Sequence, residues 1–152
     1  MDITSMLSMK KVCALDSIDV FLAEHVWEHL SLAEGFKSKK DCYRFLKKGG
    51  RLRIAVPDGL HIDPCYIEHV RPGGSGSGAS DHKLLYTYKI LDKVLSEAGF
   101  TVDLLEYWDE NGKFHYKEWD PELGKINRSC RFDGRNVNMP LSYTSLIADG
   151  IK

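Results

Sequence analysis

Apolar positions along the chain follow two different periods. Two short runs, Ile18-Asp19-Val20-Phe21-Leu22-Ala23 and Leu52-Arg53-Ile54-Ala55-Val56, have the length and β-branched content of buried strands. A short helix over residues 25–30 should leave the tip of the first. Ser38-Lys39-Lys40-Asp41 then has the spacing of a capping box, and Cys42, Phe45 and Leu46 follow at helical spacing. Gly49-Gly50 reads as the helix stop. Strand, helix, glycine stop and strand spell a parallel crossover unit. In such sheets chemistry collects where strands end, which here means Glu24-His25 and Pro57-Asp58-Gly59.

The remaining pattern is less regular. Residues 1–16 read as the end of one element and a connection. Residues 59–80 hold Pro64, Pro72 and the tract Gly73-Gly74-Ser75-Gly76-Ser77-Gly78, a composition expected to form a mobile loop. Leu84, Tyr88, Leu91, Leu95 and Ala98 step by four and three residues, predicting a helix capped by Ser80 or Asp81 and stopped by Gly99. Residues 101–108 should form a strand with Val102, Leu104 and Glu106 on one face. Asn111-Gly112 marks a tight hairpin turn into residues 114–116. Residues 119–140 read as loop, residues 142–148 as a last strand, and no internal repeat is present.

Composition narrows the possibilities. A chain of 152 residues suits one domain, and its net charge of -1 gives no global attraction to nucleic acid or anionic membrane. No apolar run approaches the ~18 residues of a membrane span and no signal peptide opens the chain, so a cytoplasmic setting is expected. Cys13, Cys42, Cys65 and Cys130 are scattered and read as reduced thiols.

Several polar groups are candidates for chemistry. His25-Val26-Trp27-Glu28-His29 matches the His-x-x-Glu-His order of a zinc hydrolase class, in which His25 and His29 would share a helix face and the glutamate would position water. Its alternative is local packing of His29 and Trp27. Glu24-His25, a polar pair at a strand tip, suits a cofactor contact or a helix cap. Asp58, His61, Asp81 and His82 flank the glycine tract and would supply a general base if they converged over the strand tips. Arg128, Arg131 and Arg135 would bind an anion or form a solvated loop.

These stretches together resemble the C-terminal two-thirds of the class I S-adenosylmethionine-dependent methyltransferases, nearest the small type 11-like group. Residues 17–30 look like that family's fourth strand and following helix. Phe45-Leu46-Lys47-Lys48-Gly49-Gly50-Arg51-Leu52 is similar to its entry into strand five, with Lys48 where the family usually has proline. Ala98-Gly99-Phe100 resembles its approach to strand six. The resemblance implies an α/β, Rossmann-like domain over residues 1–152, truncated at the N-terminus, with a mainly parallel sheet and an antiparallel last strand. It implies S-adenosylmethionine as cofactor and a small-molecule or saccharide-like methyl acceptor. Asp2 would meet the adenine, and Ala23, Glu24 and His25 the methionyl end. His25 or His82 would serve as catalytic base. The family's Gly-x-Gly-x-Gly loop after its first strand has no counterpart here, so cofactor binding is expected to be weak or absent. A non-catalytic module is the alternative. The missing first strand would leave residues 18–23 at a sheet edge, where a second copy is expected to pair.

Overall fold

Residues 4–152, except for the side chain of Leu7, are described by the structure, a computed structural model. Helix α1 (Met6–Lys10) precedes strand β1 (Ile18–Glu24), a 3-10 turn (Trp27–His29) and helix α2 (Leu32–Phe45). Strand β2 (Leu46–Pro57), short helix α3 (Pro64–Val70) and helix α4 (Tyr88–Glu97) follow. The hairpin of β3 (Thr101–Trp108) and β4 (Phe114–Tyr116) and the final strand β5 (Ser145–Ile151) complete one sheet, ordered β1-β2-β5-β3-β4.

The α/β class and the crossover from β1 to β2 agree with the sequence pattern, but the sheet is not mainly parallel. Only β1 and β2 pair parallel, whereas β2–β5, β3–β5 and β3–β4 are antiparallel. Strands β1, β2 and β3 run in the same direction. β5 enters between β2 and β3 in the opposite sense and makes both contacts antiparallel.

Alternation along β2 and β5 divides the core. Leu52, Ile54, Val56, Leu146 and Ala148 face the helices, together with Phe45, Leu91 and Leu95. Ala55 and Ile147 face the other way, against Leu105 of β3 and against Trp119 and Ile126 of the long connection before β5. A buried ion pair crosses that second face. Arg53, 1 % exposed, donates from Nε and Nη2 to the two oxygens of Asp149 at 2.8 Å each. Its Nη1 reaches the carbonyls of Asp120 and Gly124, so one guanidinium fastens the connection to the sheet.

Local signals were displaced in several places. Helix α2 starts at Ser31, whose hydroxyl accepts from the Glu34 amide while the Glu34 carboxylate accepts from the Ser31 amide. Ser38 lies inside this helix. Gly35 disguises the earlier start, yet it is needed there, because a Cβ would sit 3.2 Å from the Trp27 ring. The helix ends at Phe45, and Gly49-Gly50 belongs to β2, where a Cβ on Gly50 would press on the Ile18 and Asp19 carbonyls of β1. Helix α4 is capped by Thr87, not by Ser80 or Asp81. The hairpin forms as expected, but only Gly112 is left-handed, and the Asp109 carboxylate holds the turn through the amides of Asn111 and Lys113. Glu106 does not continue the Val102–Leu104 face: a register shift after Leu104 turns it inward to accept from Trp119 and Cys130.

The glycine tract is tied down. The amides of Gly74, Ser75 and Gly76 donate to the carbonyls of Arg71, Glu68 and His69. Side chains at Gly74 or Gly76 would collide with those same carbonyls. Composition alone suggested slackness because it does not show these close approaches.

Asp58 and His61 join a buried network away from the strand-tip cavity. The Asp58 carboxylate accepts from the amides of Leu60 and Trp108, Tyr66 bridges the Asp58 amide to the Thr144 carbonyl, and His61 stacks on Tyr66.

Leu91 is fully buried against the sheet, so Leu91→Ala should cost about 2–5 kcal/mol in denaturant melts. A loss under about 1 kcal/mol would place α4 in another rotation. Burial pushes the Asp58 carboxyl up to about 6, against the opposing pull of its two amide donors. The folded protein therefore holds this proton more tightly than the unfolded chain does. The resulting stability is complete below the unfolded value of 3.8 and is lost as pH rises through about 6. Relative to Asp58→Asn, the unaltered protein should lose up to roughly 3 kcal/mol between about pH 4 and pH 6 in urea melts. Parallel pH profiles for the two proteins would show that Asp58 titrates normally.

Candidate functional site

Strand β1 ends in a strained corner. His25 adopts φ 53°, the left-handed region that non-glycine residues seldom occupy, while its amide still donates to the Ala55 carbonyl of β2. The corner directs the imidazole to the start of β5, where His25 Nε2 meets Ser145 Oγ at 3.0 Å. The Ser145 hydroxyl donates its proton to the Arg128 carbonyl at 2.7 Å, so it accepts from His25, and Nε2 carries hydrogen. His25 Nδ1 then faces Glu28 Oε1 at 3.2 Å.

Glu28 and His29 come from the 3-10 turn that follows. Trp27 anchors that turn in the core: its indole donates to the Gly35 carbonyl and lies under the Lys39 ammonium. The Glu28 carbonyl receives the amides of Lys83 and Leu84, which brings His82 to the same place. The rings of His29 and His82 meet edge to face, 4.7 Å apart. His82 Nδ1 donates to the Val70 carbonyl at 2.6 Å, and His29 Nδ1 lies 3.2 Å from Asp81 Oδ2.

Together these residues line a cavity of about 370 Å³ beyond the ends of β1 and β2. His69, Arg128, Arg135 and Tyr143 close its other sides. Arg135 lies flat on the Tyr143 ring and is held by the Asp133 carboxylate. Burial raises the Tyr143 hydroxyl above its ordinary value, although the Arg135 and Arg128 guanidiniums oppose the shift.

The candidates separate cleanly in space. His25 and His82 both line the cavity. Glu24 instead accepts the amides of Asn127 and Arg128, clamping the loop that carries Arg128. Ala23 is packed in the helix-side core. Asp2 lies outside the described residues. Asp81 reaches His29, whereas Asp58 and His61 stay in their own network, so that expected quartet does not converge. Arg131 pairs with Glu118. His25 and His29 do not share a helix face, because the turn starts only at Trp27; the geometric basis of the hydrolase reading is absent. Glu28 was legible only as part of that motif. His69, Tyr143 and Ser145 carried no signal, since only folding brings them to β1.

No family model matches the chain, and no curated protein matches it. Solved structures do. A methyltransferase from Archaeoglobus fulgidus, dependent on S-adenosylmethionine, is 16 % identical at a TM-score of 0.54, over 97 % of this chain and 65 % of its own. A possible histamine N-methyltransferase from Thermotoga maritima gives 17 % and 0.57, over 93 % and 59 %. A third, from Mesorhizobium loti, gives 13 % and 0.55, over 100 % and 67 %. The chain thus spans 65 % and 59 % of the length of the first two. Likeness at this identity is likeness of fold: the chain has the class I fold of S-adenosylmethionine-dependent methyltransferases.

Proposed function

We propose that the chain takes part in methyl transfer from S-adenosylmethionine to a small-molecule or saccharide-like acceptor, in the cavity beyond β1 and β2. One observation carries this reading: in a methyltransferase fold, the cavity sits at the carboxyl ends of the parallel pair and is lined by convergent ionisable groups.

The residues present suit one end of the cofactor. Arg128 and Arg135 offer charge to a methionyl carboxylate, and the buried Glu28 offers charge to an ammonium. Among the described residues nothing comparable serves the nucleoside end. The alternating glycines 74, 76 and 78 follow α3 rather than a strand, and the amides of Gly74 and Gly76 are spent on carbonyls of that helix and its cap. When bound, the cofactor supplies an electrophilic methyl group on a sulfonium centre. The chain's own residues orient the acceptor and shield it from water. His82 donates from Nδ1 to Val70, which leaves the Nε2 lone pair as the acceptor for a hydroxyl or amine proton. His25, held by Ser145, fixes the cavity floor and faces Glu28.

The reading extends to assembly. Among the described residues β1 pairs only with β2, and Leu22 of this edge strand is 47 % exposed. A second copy pairing along β1 would satisfy the unpaired backbone groups.

Calorimetric titration with S-adenosylmethionine should give one site in the high-micromolar range, weakened about tenfold or more by Arg128→Ala, since a charged hydrogen bond is worth ~1.5–3 kcal/mol. Low-micromolar binding contradicts the one-ended fit, and no binding at millimolar cofactor removes the methyl-transfer reading for this chain. Light scattering should show a dimer that Leu22→Lys converts to monomer. A strict monomer at high concentration ends the edge-pairing idea.

A further inference from the structure

We propose that Glu28, His29 and His82 form a site for one divalent transition-metal ion of the zinc type on the cavity wall. One donor atom from each lies within 4.8 Å of the other two, the single such grouping of three among the described residues. Two imidazoles and a carboxylate suit zinc and its borderline neighbours better than magnesium or calcium, which prefer all-oxygen shells. The ligands differ from the His25 and His29 pair of the hydrolase motif, and no hydrolysis is implied.

A second, independent observation points to a cation. Glu28 is fully buried, and neither carboxylate oxygen accepts a hydrogen bond. The ring nitrogen facing it, His25 Nδ1, lies 3.2 Å from Oε1 without making a hydrogen bond to it. A buried carboxylate without donors is costly, and a divalent ion supplies what is missing.

The outer partners are already in place. Histidine ligands of metals characteristically donate their other ring nitrogen to a carboxylate or a backbone carbonyl. His29 Nδ1 faces the Asp81 carboxylate, and His82 Nδ1 donates to the Val70 carbonyl. Both contacts select the tautomer whose Nε2 lone pair is free to coordinate. A zinc ion about 2.0–2.1 Å from each donor sets the donors about 3.3 Å apart, so the three side chains must draw together by up to about 1.5 Å. His29, whose side chain is 31 % exposed, has room to turn.

Three protein ligands leave at least one position open toward the cavity. This extension rests on the methyl-transfer reading: an acceptor hydroxyl bound there would release its proton to water more readily, and His82 and Glu28 would then serve as ligands instead of as proton acceptor and ammonium partner. The metal site itself stands apart from that reading.

The test uses the full chain, stripped with chelator and titrated with Co²⁺ and Zn²⁺ by calorimetry and by Co²⁺ visible absorption. One equivalent should bind in the micromolar range or tighter, with visible absorption of four- or five-coordinate cobalt and no response to millimolar Mg²⁺. Glu28→Gln and His82→Ala should each weaken binding at least tenfold, and Asp81→Asn by about tenfold through His29. His69→Ala should change it less than threefold. Asp81 is exposed and its substitution spares the core, so that variant decides the matter if Glu28→Gln does not fold. Absence of saturable one-to-one binding, equal binding by Asp81→Asn and His82→Ala, or dependence on His69 instead overturns the proposal. Because the readout is metal binding, it fails or succeeds separately from methyl transfer.

Discussion

The last strand of the chain occupies the middle of the sheet, and the rest of the structure depends on its insertion. β5 pairs on both sides, and six of its seven residues are buried. Within the sheet, β2 and β3 are joined only through residues 145–151. Its alternating faces close both cores, with Leu146 and Ala148 under the helices and Ile147 against Trp119 and Ile126. Asp149 on the second face receives Arg53, so a single strand carries backbone pairing, apolar packing and a buried ion pair.

That ion pair illustrates how a long irregular segment is kept in place. The connection between β4 and β5 contains only two 3-10 turns and has little repeating backbone structure to stabilise it. Buried polar groups take over. Arg53 donates to the Asp149 carboxylate and to the carbonyls of Asp120 and Gly124, and the Trp119 ring covers its face. Glu106 receives Trp119 and Cys130, and Asn136 reaches the carbonyls of Cys130 and Tyr143. Such groups stabilise little in net terms, but removing one partner strands the other in a low-dielectric interior. Their value here is positional, because they bring Arg128 and Tyr143 to the cavity.

The cavity is assembled on the same logic. Strands fix its floor through the His25 corner and Ser145, while loops supply the walls and remain tied by specific carbonyls and carboxylates. The glycine tract belongs to this scaffold: seated on His69 and on the last turn of α3, it shapes the cavity by close backbone approach.

By itself the sequence determined the local elements whose signals are periodic or compositional. The strands β1 and β3, the buried face of α4 at Leu91 and Leu95, the Gly99 stop and the Asn111-Gly112 hairpin follow from side-chain spacing and backbone preference, which act over a few residues. The strand tip at His25 and the presence of His82 near the cavity were also legible, the first from an apolar run ending in polar residues. The tertiary structure decided what depends on distant partners. Helix α2 starts at Ser31 and not at Ser38, with Trp27 packed closely on Gly35 in its first turns. The antiparallel direction of β5 was already implied by the family resemblance, but its place between β2 and β3 depends on strands distant in sequence, which no local pattern encodes. Glu28, an ordinary member of a short motif, became a buried carboxylate without donors only when residues 82–84 folded over it. Burial and pairing are sums over the whole chain, and those sums exist only once it has folded.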